Sequence, residues 1–214
     1  MPHIILGVTG SVAAVRTPAL FAQLRDAGHE VRVVATEASL YFFNPADLGP
    51  PTEAGPVLRD ADEWTGTLYE RDAPVLHIAF RNWADILVVA PLGANTLAKF
   101  ALGLSDNFLT CLFRAWDFQK PVVLAPAMNT LMWQSPVTER HLRQLLDDHG
   151  DGRHGEGWTL DEAPGVFARH APGLVLVPPQ CKRLACGDVG IGAMAEVVTI
   201  AEVVRQWSNE SPVP

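Results

Sequence analysis

The chain has 214 residues, 48% hydrophobic and 19% charged, which suits one globular domain and excludes a disordered, collagen-like or coiled-coil chain. Sixteen basic residues against twenty-four acidic ones give a formal charge of −8, and no Lys/Arg cluster forms a footprint for nucleic acid or anionic lipid. No apolar stretch approaches the ~20 residues of a membrane helix and no signal sequence is evident, so the chain reads as soluble and intracellular.

His3 to Val8 is apolar and β-branched and predicts a strand that runs into the small residues Gly10, Ser11, Val12 and Ala13. A helix follows over about Thr17 to Ala27, with Pro18 in its first turn and Gly28 at the C-terminal cap. Glu30 to Ala35 is the second strand. Such a βαβ opening predicts a parallel sheet with a ligand site at the strand C-termini. Asn44 to Pro74 lacks periodicity and reads as an irregular excursion with at most one short helix. Val75 to Ile78 then forms an ordered apolar segment around His77, and Asp85 to Pro91 predicts a buried central strand.

Helical patterns occupy about Ala94 to Leu102 and Asn107 to Ala115, followed by a strand at Pro121 to Ala125 and a polar helix over Pro136 to Asp148. Gly150 to Pro172 holds five glycines and few packable positions, and reads as a mobile surface insertion. Leu174 to Val177 is the last strand, Pro178 to Ala195 a glycine-punctuated loop, Glu196 to Trp207 the closing helix and residues 208–214 a tail. The whole predicts a single-domain α/β fold over residues 1–207, a Rossmann-like (flavodoxin-like) doubly wound parallel sheet.

Several strand ends carry candidate chemistry. The Gly10-Ser11-Val12 turn presents backbone amides at a helix start, suited to a phosphate or to tight packing, although Gly7, Gly10 and Ala13 fall short of GxGxxG. Thr36, Glu37, Ala38 and Ser39 follow the second strand, and Gly93, Ala94, Asn95 and Thr96 the central one, as helix caps or as ligand groups. His77 reads as an ordinary buried or edge histidine or as a general base. Asn129 reads as a cap or as a carboxamide that holds a carboxylate or planar heterocycle. Lys182 to Glu196 has the make-up of a lid. Within it Cys186, preceded by two cations and followed by glycine, is a candidate mobile proton, whereas Cys111 reads as a buried hydrophobe. With Cys181 there are three cysteines, without disulfide or zinc spacing.

The stretches GVTGSVAA, DAPVLHIAFRNWAD, APLGANTLAK, DNFLTCLFRAWD, PAMNTLMW and KRLACGDVGIGAMAE resemble, in that order, the flavin-containing cysteine decarboxylases, and among them the phosphopantothenoylcysteine decarboxylases. The likeness covers nearly the whole chain apart from Gly150–Pro172 and the tail, and departs at Asn82 and Gly93. It implies FMN across the strand C-termini, with Gly10, Ser11 and Val12 near its phosphate or ribityl chain. Thr36, Glu37, Ala38, Ser39, Phe42, Gly93, Ala94, Asn95, Thr96 and Ala127 would be further flavin contacts. His77 would be the catalytic base, Asn129 the holder of the substrate carboxylate or amide, and Cys186 the proton donor. Met132, Arg183, Leu184 and Ala185 would clamp 4′-phosphopantothenoylcysteine.

The implied reaction yields 4′-phosphopantetheine. The substrate's cysteine side chain is oxidised to a thioaldehyde that accepts the electrons released with carbon dioxide, and the ene-thiolate is then protonated and reduced. The resemblance further implies a cytoplasmic homotrimer with flavin at the subunit boundary, near Phe80 and Trp83. Two other readings are a flavin-binding regulatory subunit that inhibits a protein phosphatase and a peptidyl-cysteine decarboxylase. The presence of both His77 and Cys186 favours an enzyme over the regulatory subunit, and the PAMNTLMW and KRLACGD segments are closer to the small-molecule enzyme.

Overall fold

The computed structural model describes residues 1–49, 57–63, 68, 71, 73–155, 157–183, 187 and 189–210. Strand β1 (His3–Val8) leads through a short 3-10 helix (Val12–Arg16) into α1 (Thr17–Asp26) and β2 (Glu30–Ala35), the expected βαβ unit. Beyond it lie two more 3-10 turns (Glu37–Tyr41 and Pro45–Leu48), a two-residue strand β3 (Val57–Leu58) and a one-turn helix α2 (Asp60–Glu63). The excursion after Asn44 therefore contributes an edge strand as well as a helix.

Helix α3 (Leu76–Trp83) precedes β4 (Ile86–Leu92), which is buried at every position, as a parallel strand covered on both faces must be. Next come α4 (Ala94–Leu102), α5 (Phe108–Arg114), β5 (Val122–Pro126), α6 (Thr130–Trp133) and α7 (Pro136–His149). The chain continues with α8 (Ala163–His170), β6 (Leu174–Leu176), the strands β7 (Gln180–Arg183) and β8 (Val189–Ala193), and α9 (Val197–Glu210).

All six strands of the main sheet are parallel, in the order β3-β2-β1-β4-β5-β6. Alternation along the strands divides the core in two. Ile4, Leu6, Val8, Val33, Val88 and Val123 pack with Leu20, Leu24, Ile200 and Val204 of α1 and α9. Ile5, Leu87, Val89 and Leu124 pack with Leu97, Leu109, Leu112, Leu146 and Phe167 on the other face. Gly7 belongs to this second face because a Cβ there would lie 2.7 Å from Leu109 Cδ1. Helix ends follow local chemistry: Asn107 and Thr110 form a reciprocal capping box on α5, and Gly103 closes α4 at φ 67°.

Three expectations change. Val75–Ile78 opens a helix rather than standing as a short apolar segment, because Leu76, Phe80 and Trp83 continue it at helical spacing and pack on the core. Gly150–Pro172 is not a loose insertion: Trp158, Ala163, Val166 and Phe167 are buried in the core, with Phe167 fully covered. Pro178–Ala195 is not an open loop, since β7 and β8 pair as an antiparallel ribbon. Of the expected tail, residues 208–210 continue α9, and residues 211–214 lie outside the described ones. No helix among the described residues is long and apolar enough to cross a membrane.

Candidate active site

Parallel strands bring their C-termini to one edge, and the crevice opens where the strand order reverses, between β1 and β4. A cavity of about 460 Å³ lies there, within the size range of small-molecule and cofactor sites. Its wall is made of three strand exits: Gly10, Ser11, Val12 and Ala13 after β1, Gly93 and Ala94 after β4, and Ala127, Met128 and Asn129 after β5. Phe42 and Met132 add apolar surface, and the β7–β8 ribbon overhangs with Lys182, Arg183 and Gly192.

The wall is backbone brought close by small residues. A Cβ on Gly10 would sit 2.6 Å from the Cβ of Ala38, so only glycine lets the first turn lie against the 3-10 helix behind it. Thr9 ties the two central turns together. Its hydroxyl donates to the Pro91 carbonyl at 2.8 Å and accepts the Gly93 amide at 2.7 Å. Ser11 caps the short helix after β1 by accepting the Ala13 amide. Asn129 caps α6 through Oδ1, which accepts the Leu131 amide at 2.9 Å, while the residue also lines the cavity. Capping and lining coincide here, and the cap orients the carboxamide.

The ribbon is docked through main chain. The Met128 amide donates to the Gly192 carbonyl at 2.9 Å, and a Cβ on Gly192, at φ 141°, would collide with the Met128 carbonyl. Arg16, Lys182 and Arg183 line the cavity with one carboxylate, Glu196, leaving a cationic lip suited to an anionic ligand. Lys182 hydrogen-bonds Glu196 and holds its carboxyl below the usual range, with Gln180 and the field of Arg16 acting the same way. A planar, largely apolar ligand with an anionic tail matches this shape and charge.

Not every expected residue reaches the wall. Thr36 and Ser39 stand behind Gly10, with the Ser39 hydroxyl donating to the Thr36 carbonyl at 2.6 Å and the Thr36 hydroxyl to Val8 at 3.3 Å. Glu37 and Ala38 are exposed on the same short helix, and Asn95 and Thr96 lie in the first turn of α4 without lining the cavity. Leu184, Ala185 and Cys186 lie outside the described residues.

His77 is also absent from the cavity wall. It sits in the first turn of α3 against Glu63, whose two oxygens accept its backbone amide at 3.0 Å and meet its ring Nδ1 at 2.5 Å. Sequence reasoning missed Glu63 and Arg16. Arg16 shares the short helix with Val12, which was the available signal; Glu63 lies in an acidic run that reads as solvated surface.

The profile of the Flavoprotein family matches residues 1–209. A phosphopantothenoylcysteine decarboxylase of Arabidopsis thaliana is 46% identical over 211 residues, covering 98% of this chain and 87% of its own length. A solved PPC decarboxylase, a cysteine-to-serine variant complexed with pantothenoylaminoethenethiol, is 44% identical with TM-score 0.78, over 98% of this chain and 99% of that one. The solved FMN-binding protein AtHal3 is 43% identical with TM-score 0.76, over 99% of both chains. Matched over nearly its whole length, this protein belongs to the Flavoprotein family and, within it, to the phosphopantothenoylcysteine decarboxylases.

Proposed function

We propose that this protein catalyses the FMN-dependent decarboxylation of 4′-phosphopantothenoylcysteine to 4′-phosphopantetheine in coenzyme A biosynthesis. The observation that carries the reading is the crevice at the β1–β4 switch point, walled by glycine turns and overhung by a cationic ribbon, in a chain 46% identical to a named decarboxylase. The residues present fit FMN. Gly10 and Gly93 let the two turns pack against Ala38 and Thr9 so that the crevice wall is backbone, Phe42 and Ala127 supply apolar contact, and Ser11 and Val12 begin a short helix suited to the phosphate or ribityl chain.

FMN bound there supplies the two-electron oxidation of the substrate's cysteine side chain and returns both electrons once carbon dioxide has left. The chain's own groups do the rest. The Asn129 carboxamide, turned by its cap, donates to the substrate carboxylate or adjoining amide and orients it for departure. His77 takes the proton of the substrate thiol, and Cys186 gives a proton to the ene-thiolate carbon. Met132 and Arg183, together with Leu184 and Ala185, hold the substrate and exclude water. Thr36, Glu37, Ala38, Ser39, Asn95 and Thr96 complete the cofactor site from behind the two turns.

Because His77 stands apart from the cavity of its own chain, we place the working site between copies in a homotrimer, with α3 of one copy facing the cavity of the next. The half-buried faces of Phe80 and Trp83 supply the contact. We place the reaction in the cytoplasm, in keeping with the unbridged thiols of Cys111 and Cys181.

Purified protein supplied with FMN takes up the flavin and releases carbon dioxide from 4′-phosphopantothenoylcysteine. Failure to bind flavin, or binding without turnover, overturns the reading. Cys186→Ser accumulates an oxidised, decarboxylated product, and His77→Asn keeps its yellow colour without activity. Co-assembly of these two inactive variants restores part of the turnover if the site is shared between copies and none if each copy holds a whole site.

A further inference from the structure

We infer that Glu63 is the positioning residue for His77: its buried carboxylate fixes the imidazole with a proton on Nδ1 and the lone pair on Nε2. The inference rests on the reading of His77 as the base. Glu63 is 5% exposed, its side chain 1%, yet among the described residues its ion-pair partner is His77 alone. A carboxylate buried in this way costs several kcal/mol unless it is paired and hydrogen-bonded. Both of its oxygens are spent on one residue, Oε2 on the His77 amide and Oε1 on the ring.

A carboxylate is an acceptor only, so the ring nitrogen facing it carries the proton and the other nitrogen keeps its lone pair. When Nε2 accepts a proton from substrate, the imidazolium that forms faces a negative charge already in place. This is the logic by which a third group orients a catalytic base.

The surroundings hold the carboxylate still. Helix α2 is tied to the start of α5 by Asp60, whose Oδ1 accepts the Phe108 amide at 3.0 Å, and Asp62 accepts the Arg59 amide at 2.7 Å. Cys111 of α5 donates from its thiol to the Ser105 carbonyl. Burial first, then the fields of Glu63, Asp106 and Asp60, push its thiol up, so it stays protonated and does not compete for the proton. Asp106 is itself paired with Lys99.

A purely structural role is also available to Glu63, because its bond to the His77 amide satisfies a donor in the first turn of α3. Glu63→Gln separates the two roles: the amide oxygen can still cap the helix, but the charge is gone. With ¹⁵N-labelled histidine in the FMN-loaded protein, long-range ¹⁵N–¹H spectra of the wild type show His77, identified by its loss in His77→Asn, as the Nδ1–H tautomer. In Glu63→Gln that signature gives way to Nε2–H or a mixture. The expected kcat falls by roughly 10²–10⁴-fold, the range of a general base, with KM, flavin affinity and thermal midpoint unchanged.

Retention of the Nδ1–H signature and of kcat in Glu63→Gln, with a lowered midpoint only in Glu63→Ala, would reduce Glu63 to a cap and overturn the inference. The tautomer measurement needs no turnover. An inactive wild type with the expected spectra therefore removes the proposed reaction while leaving the hold of Glu63 on His77 in place.

Discussion

Two short glycine-bearing segments flank the last strand of the sheet, and they are held in opposite ways. The first, from Gly157 to Ala171, is fastened by side chains. Trp158, Ala163, Val166 and Phe167 enter the core, and Arg143 lies 4.1 Å from the Trp158 ring centroid while bonding its carbonyl. The second, the β7–β8 ribbon, leaves Cys181, Lys182 and Arg183 exposed and Val189 77% exposed. It is fastened by the Met128–Gly192 main-chain bond, the Gln180 side chain on the Met194 carbonyl at 2.7 Å and the Lys182–Glu196 pair. A segment with several side chains in the core opens only with the whole fold, whereas one held mainly by a few hydrogen bonds and one partly buried side chain, Ile191, opens more readily. The ribbon, which overhangs the cavity, is the part built to move.

The contrast is open to attack by mutation. Phe167→Ala, which empties a fully covered site, is expected to cost about 3–5 kcal/mol in denaturant unfolding; a loss below about 1 kcal/mol would mean that the segment is no core anchor. Thr9→Val, which strips both side-chain bonds between the β1 and β4 exits, is expected to cost about 1–3 kcal/mol and to weaken flavin retention, read by dialysis and absorbance. Gly192→Ala strains a left-handed backbone position and drives a Cβ toward Met128. Its expected effect is on ligand alone: FMN binding weakens by roughly tenfold, about 1.4 kcal/mol, with the unfolding midpoint nearly unmoved. An equal loss of global stability would erase the distinction between the segments.

Acid gives the smallest effect and separates the regions by pH. Burial lowers His29, His141 and His149 below 6.5. These groups are neutral in the folded state and bind protons more readily unfolded, so their contribution is present above pH 6.5 and is lost as pH falls from there toward their folded values. Glu196 is lowered below 4.5 by Lys182, so the ribbon's ion pair persists until pH falls below that value. Thermal midpoints recorded from pH 7.5 downward should decline before ribbon contacts, followed by proteolysis, begin to loosen. His149→Phe, which keeps the stacking on Phe118, should remove part of the decline.

Legibility in the sequence followed the physics of each element. β1, β4 and β5 are apolar runs ended by small residues or proline, and β2 carries Val31, Val33 and Val34 between its charges, so the doubly wound sheet and its crevice were readable, and Gly10, Gly93, Ala127, Asn129, Met132 and Arg183 fell on the cavity wall. The Ala163, Val166 and Phe167 pattern is a single helical stripe of three residues in a glycine-rich, polar stretch, too short to stand out. β7 reads Gln-Cys-Lys-Arg and β8 alternates with glycine, so neither has the composition of a strand; pairing, not propensity, makes the ribbon. Four residues from Val75, three of them apolar, do not distinguish helix from strand. Glu63 was invisible because its partner lies 14 residues away, across a segment without periodicity.

One hydroxyl fixes the floor of the crevice. Thr9 joins the β1 and β4 exits with two short side-chain bonds beside the bond from its own amide to the Pro91 carbonyl, so the two turns meet directly and form one continuous surface. A ligand therefore lies against both turns together and cannot pass between them, whereas the overhanging ribbon meets that surface through Met128 and Gly192. Ligand analogues altered on the side that faces the turns should be discriminated more strictly than those altered on the side that faces the ribbon.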